Sequence, residues 1–85
     1  MYAVVVYDVH VSKVQKVNAF LKRYLFWVQN SVFEGELSES QLREITKYLE
    51  STLDPDESAI IYLLRSSKYV RRIQIGRSTE PERII

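Results

Sequence analysis

Asp8 is the one carboxylate among residues 1–33, and it ends the apolar run Ala3-Val4-Val5-Val6-Tyr7. A carboxylate there costs free energy unless it is hydrogen-bonded, paired or bound to a cation. Two readings fit. Asp8 caps a turn by accepting backbone N–H groups from Val9 to Ser12, or it ligates a hard divalent cation, which prefers carboxylate and water oxygens. One carboxylate per chain is a thin donor set for magnesium, with waters and phosphates left to fill the rest. A two-fold dimer that brought two Asp8 side chains together would supply two ligands and a like-charge reason to hold a cation. His10, the single histidine, follows two residues later. It reads either as a general base or phosphate contact or as a solvated loop residue.

Other chemistries lack their parts. The chain has no cysteine, no second histidine and no G-x-S-x-G elbow, which removes classical nucleophilic catalysis, thiolate metal sites and disulfides. The absence of a histidine pair at metal spacing argues against zinc. Gly35 and Gly76 are the only glycines, so there is no phosphate-cradling glycine loop.

Charge is segregated along the chain. Residues 9–33 carry Lys13, Lys16, Lys22 and Arg23 without an acid, a sum of +4; residues 34–57 sum to −6; residues 58–77 carry Arg65, Lys68, Arg71, Arg72 and Arg77 without an acid, a sum of +5. Single-sign blocks on a folded domain make oppositely charged surfaces, and a basic surface attracts phosphates; ordinary solvated faces give the same pattern. Six tyrosines, three phenylalanines and one tryptophan offer rings for base stacking, although most fall on core-facing positions. Phe33 is the ring with a claim to reach across a subunit interface.

The elements that position these residues follow from patterning. Residues 3–9 read as a central strand buried on both faces. Ser12 and Gln15 spell a capping box, followed by a helix with Val14, Val17, Leu21, Tyr24 and Leu25 on one stripe, ending near Leu25. Residues 26–37 read as two short strands about Gln29-Asn30-Ser31, with Phe33 and Gly35 alternating against an exposed Glu34 and Glu36. Ser38 and Gln41 spell a second capping box with a Leu37–Leu42 staple, and this helix stops before Asp54-Pro55-Asp56. Residues 58–64 form another uninterrupted apolar strand, and Arg72-Ile73-Gln74-Ile75-Gly76 alternates as an edge strand does. The order βαββαβ with an extra strand predicts an α+β, ferredoxin-like antiparallel plait with both helices on one face.

Eighty-five residues read as one domain, residues 1–85, burying only about 60–65% of its unfolded surface. With 46% hydrophobic residues, some apolar surface stays outside the monomer core, and self-association covers such surface. The apolar N-terminal run has no basic n-region and is too short for a signal peptide or a span, so the expected location is cytoplasmic.

The strand ending Val6-Tyr7-Asp8, the helix with Phe20-Leu21, the stretch Val28-Gln29-Asn30-Ser31-Val32-Phe33-Glu34-Gly35-Glu36-Leu37, the apolar strand at 58–64 and Ile75-Gly76 with Ile84-Ile85 together resemble the CRISPR-associated protein 2 family. The resemblance implies a ferredoxin-like homodimer in which the C-terminal strand, here residues 72–85, is exchanged onto the partner protomer. It implies that Asp8 is the strand-end aspartate, metal ligand and catalytic residue, facing its twin across a shared Mg2+. It places Tyr7 in the strand-end motif, and Ser31 and Phe33 in the second motif. The implied activity is metal-dependent endonucleolytic cleavage of RNA or DNA. The implied setting is the spacer-integration complex, where the dimer is flanked by the CRISPR-associated integrase and holds duplex DNA by its backbone. Lys13, Lys16, Arg71, Arg72 and Arg77 are the candidate nucleic-acid contacts. Lys16 stands where some members carry arginine, Trp27 where many carry one, and Leu25 or Phe26 where a glycine is common. A toxin-like interferase of the same fold and a non-catalytic DNA scaffold are the alternatives.

Overall fold

Tyr2–Asp8 forms strand β1, the middle of a four-stranded antiparallel sheet ordered β2-β3-β1-β4. The computed structural model describes residues 1–76; Arg77 and the terminal isoleucines fall outside the described residues. The remaining elements are α1 (Val11–Leu21), β2 (Phe26–Gln29), β3 (Val32–Glu36), α2 (Glu39–Thr52), β4 (Ser58–Leu64) and a 3-10 turn at Ser67–Tyr69. This is the expected α+β plait.

Strand alternation sends Ala3, Val5 and Tyr7 toward the helices, where they join Phe33, Val17, Leu21, Ile45 and Leu49 in one core cluster. Both helices therefore cover one face. Tyr2, Val4, Val6 and Asp8 point to the other, alongside Val32 and Glu34 of β3 and Ile60 and Tyr62 of β4. β1 is central as expected, but its outer-face valines are only half-buried. β4 departs further. Its apolar run predicts burial, yet it is an edge strand, with Ile60 52% and Tyr62 55% exposed because no helix covers that face.

The two capping boxes have different fates. Ser38 and Gln41 form theirs in full: Gln41 N–H donates to Ser38 Oγ at 3.1 Å and Ser38 N–H to Gln41 Oε1 at 2.9 Å. Ser12 and Gln15 do not. α1 begins at Val11, and its N-cap His10 makes no side-chain capping bond. α1 also closes at Leu21 rather than near Leu25, its chain turning through Tyr24 N–H to Leu21 O at 3.0 Å and Leu25 N–H to the same oxygen at 2.9 Å. Leu25 is then free to pack beside Gly35, where an added Cβ would sit 3.2 Å from Leu25 Cδ2. The β2–β3 turn puts Asn30 at φ 43°, a left-handed value that asparagine tolerates.

Residues 71–76 form no strand in the single chain. Ile73 and Ile75 are 77% and 94% exposed, and Arg72 folds back onto the sheet. The strand expected from Arg72 onward is not formed over residues 72–76 although β2 and β4 both leave an open edge, and the rest of the segment to residue 85 lies outside the described residues.

Candidate metal and nucleic-acid site

Asp8 closes β1 opposite Ser58 of β4, on the face that the helices leave open, and is exposed. Among the described residues no hydrogen bond or ion pair reaches its carboxylate. The turn-cap reading therefore fails. The work assigned to Asp8 is done by Glu57, which accepts His10 N–H at 2.7 Å and Asp54 N–H at 2.7 Å. An exposed carboxylate at a sheet end is a hard oxygen donor, and Asp8 fits a magnesium ligand in type and access.

Tyr7, Ser31 and Phe33 meet just inside Asp8. Tyr7 N–H donates to Ser31 O at 3.1 Å, its hydroxyl donates to Asn18 Oδ1, and its ring stacks on Phe33 with centroids 6.3 Å apart. Burial raises the Tyr7 hydroxyl above the ordinary tyrosine value, and a hydrogen bond with Ser31 offsets part of that rise. Phe33 is fully buried in its own core. The expectation that it reaches across an interface is thereby corrected: the residue alternates with Glu34 and its ring faces the helices, while the ring on the open face of β4 is Tyr62. These three residues fix the end of β1 against β3.

A cluster that local spacing did not disclose lies beside them. The Glu57 side chain, 1% exposed, also meets Lys13 Nζ at 2.5 Å. The same ammonium donates to Thr52 O at 2.8 Å and pairs with Asp54 at 3.1 Å. His10 bridges outward, with Nε2 2.8 Å from Asp56 and Nδ1 3.3 Å from Glu57. Two backbone donors, then Lys13, hold the Glu57 carboxyl down at about 2. The hydrogen bond to Asp56, then the surrounding carboxylates, raises the His10 imidazole. His10, Asp54 and Glu57 bring ligand atoms within 4.8 Å of one another, but the Lys13 ammonium already occupies the place of a cation. This group does not fit a second metal. The acidic run Asp54-Pro55-Asp56-Glu57 was the visible signal; its partners are 40 or more residues away in sequence, His10 and Glu57 being 47 apart.

The five nominated basic residues divide. Lys13 is directed inward. Arg72 is largely covered, with Nη1 3.3 Å from the buried Glu34 and Nη2 2.8 Å from Gln74; this corrects the expectation of an exposed Glu34. Lys16 and Arg71 are exposed, and Arg77 lies outside the described residues. Arg71 lines an open groove of about 700 Å³ with Tyr2, Phe26, Lys68 and Arg72. Tyr69 adds an exposed ring with Arg65 and Lys68 each 5.7 Å from its centroid. Because Tyr2 pairs with Leu64 and Asp8 with Ser58, these cations stand at the opposite end of the sheet from Asp8, about 20 Å away over six strand steps. Among the described residues, no helix is long and apolar enough to cross a membrane.

Comparison with known proteins gives a consistent result. The family model for CRISPR associated protein Cas2 matches residues 1–72. The CRISPR-associated endoribonuclease Cas2 of Methanothermobacter thermautotrophicus is 44% identical over 86 residues, spanning 100% of this chain and 94% of that protein. That of Pyrococcus furiosus is 52% identical over 67 residues, spanning 78% and 79%. Among solved structures, a crystal structure of cas2 superposes with TM-score 0.87 at 46% identity, covering 100% of this chain and 97% of its own. The Streptococcus pyogenes Cas2 structure gives 0.72 at 26%, covering 87% and 100%. The chain therefore belongs to the CRISPR-associated Cas2 family.

Proposed function

We propose that the protein is a homodimeric nucleic-acid-binding component of CRISPR spacer acquisition, working beside the CRISPR-associated integrase, with magnesium-dependent endonuclease chemistry at Asp8. The observation that carries this reading is Asp8 itself: an exposed carboxylate, unpartnered among the described residues, at the end of the central strand. It borders a sheet face whose Ile60 and Tyr62 are more than half exposed. A second copy packed on that face covers the apolar surface and brings two Asp8 side chains toward one another. The relatives named endoribonucleases support phosphodiester cleavage, with RNA as the first substrate to test.

The two Asp8 carboxylates would hold the Mg2+. When bound, it supplies positive charge that offsets the charge growing on the phosphoryl oxygens. Tyr7 and Ser31 keep the strand end fixed through their mutual bonds. Lys16 and Arg71 hold the nucleic-acid backbone without reading sequence.

The test compares wild type with Asp8→Asn for cleavage and binding of single-stranded RNA and duplex DNA, with and without magnesium. Cleavage is lost in the variant, while binding and dimerisation persist. Cleavage that survives Asp8→Asn refutes the assignment. A non-catalytic scaffold has its own support in the distance between the Arg71 groove and Asp8, which lie at opposite ends of the sheet. On that reading, spacer integration with the partner integrase is unchanged in Asp8→Asn.

A further inference from the structure

Glu57 is an acid almost wholly removed from solvent, 1% exposed at its side chain, and it lies on no face offered to nucleic acid. Its carboxylate gathers donors from two loops distant in sequence. His10 N–H, from the β1–α1 loop, and Asp54 N–H, from the α2–β4 loop, each reach it at 2.7 Å. Lys13 Nζ of α1 reaches it at 2.5 Å and also ties to Thr52 O at the end of α2. Asp8 lies between these anchors. It is two residues before His10, and its cross-strand partner is Ser58, the residue after Glu57.

We infer that Glu57 is a positioning residue, clamping the β1–α1 loop to the start of β4 so that the Asp8 carboxylate is held where it can ligate a divalent cation. The inference rests on the proposed role of Asp8. The physical argument is that Asp8 has no tether of its own among the described residues. Its placement is therefore set by the backbone around it: Tyr7 is held to Ser31 O on one side, and Glu57 ties the loop that follows, through His10 N–H, to the residue before the cross-strand partner Ser58. Groups that orient a metal ligand typically govern about ten- to a hundredfold in metal affinity. Lys13 serves the same clamp by neutralising Glu57, which explains why its ammonium is turned inward.

The test is calorimetric titration of Mg2+ into the full-length dimer for wild type, Glu57→Ala, Glu57→Gln and Asp8→Asn, with circular dichroism confirming the fold at the titration temperature. Asp8→Asn abolishes Mg2+ binding. Glu57→Ala weakens it by about ten- to a hundredfold. Glu57→Gln, whose single amide oxygen serves only one of the two loops while its amide nitrogen, a donor, meets the other N–H or the Lys13 ammonium, weakens it as well. Circular dichroism showing these variants folded separates loss of the clamp from a general loss of stability. If Glu57→Ala does not fold, Glu57→Asp takes its place; it is one methylene too short to reach both loops, and it weakens binding similarly. Wild-type affinity in a folded Glu57→Ala or Glu57→Asp, alongside loss in Asp8→Asn, overturns this inference alone. Undiminished Mg2+ binding in Asp8→Asn overturns the role of Asp8 and this inference with it.

Discussion

Replacing Lys16 and Arg71 together by alanine tests which cations meet nucleic acid. Both are exposed, whereas Lys13 lies against Glu57 and Asp54 at 2.5 and 3.1 Å. Each phosphate contact adds about 0.9 to the slope of log K against log salt on duplex DNA, so two cations in each of two protomers account for about 3.6. Between 50 and 200 mM salt, that part of the slope alone amounts to about a 150-fold change in affinity. The assay is fluorescence anisotropy with a labelled duplex over that salt range. The double variant binds more weakly and with a slope shallower by about 3.6. Lys13→Met, measured where circular dichroism shows it folded, keeps the wild-type slope, because an ammonium already holding two carboxylates releases no counterion from DNA. If Lys13→Met flattens the slope by about 1.8, the worth of one contact per protomer, the inward assignment of Lys13 is wrong.

Phe33→Leu removes a fully buried ring stacked on Tyr7 and lowers stability by about 1–2 kcal/mol, or roughly 5–15 °C in Tm. Unchanged melting with weakened dimerisation would return Phe33 to an interface. Glu57, held at about 2 against an ordinary 4.5, contributes stability that is present above pH 4.5 and lost as pH falls toward 2. His10, raised above 6.5, contributes stability that is full below pH 6.5 and lost as pH rises through its higher folded value. Denaturant midpoints across this range should therefore fall at both ends, with Glu57→Gln flattening the acid limb and His10→Asn the alkaline one; limbs that survive both changes contradict the cluster. RNA shorter than about six nucleotides cannot span the roughly 20 Å between Asp8 and the Arg71 groove while stacked, at a rise of about 3.4 Å per nucleotide. Its KM for cleavage therefore rises sharply below that length, and a tetramer cleaved as efficiently as a 20-mer would place the useful cations elsewhere.

Ser38 with Gln41 and Ser12 with Gln15 show what the sequence discloses and where it stops. Both pairs have the same spacing, yet only the first forms its box. The difference lies 47 residues from His10, where Glu57 takes up the His10 N–H and α1 starts at Val11. Local bonds close within one turn and are legible in a short window; a buried carboxylate that draws donors from two loops is not. The strands behave likewise. The apolar run of β1 places it in the middle of the sheet, and β4 has the same character yet sits at the edge. Burial of β4 depends on what packs against the open face, which neither periodicity nor composition records. Asp8 was legible as the one carboxylate among residues 1–33, but its turn-cap and metal readings were both open to sequence, and only the placement of Val9 to Ser12, none of which bonds its carboxylate, removes the first.

The charge blocks carry the same lesson into function. The acidic residues 34–57, with a sum of −6, are not simply a repelling surface. Two of them turn inward and each takes a cation from a basic block, Glu57 from Lys13 and Glu34 from Arg72. Subtracting one charge from each basic block leaves +3 for residues 9–33 and +4 for residues 58–77. The exposed remainder falls into two groups, Lys16, Lys22 and Arg23 on and just after α1, and Arg65, Lys68 and Arg71 beyond β4. The second group stands at the opposite end of the sheet from Asp8, and the cluster beside Asp8, with Lys13 and His10 set against Asp54, Asp56 and Glu57, keeps a negative balance. A nucleic acid held by the second group is therefore gripped at a distance from the strand end. On the proposed function, binding and cleavage are then separable, and a variant can lose either and keep the other.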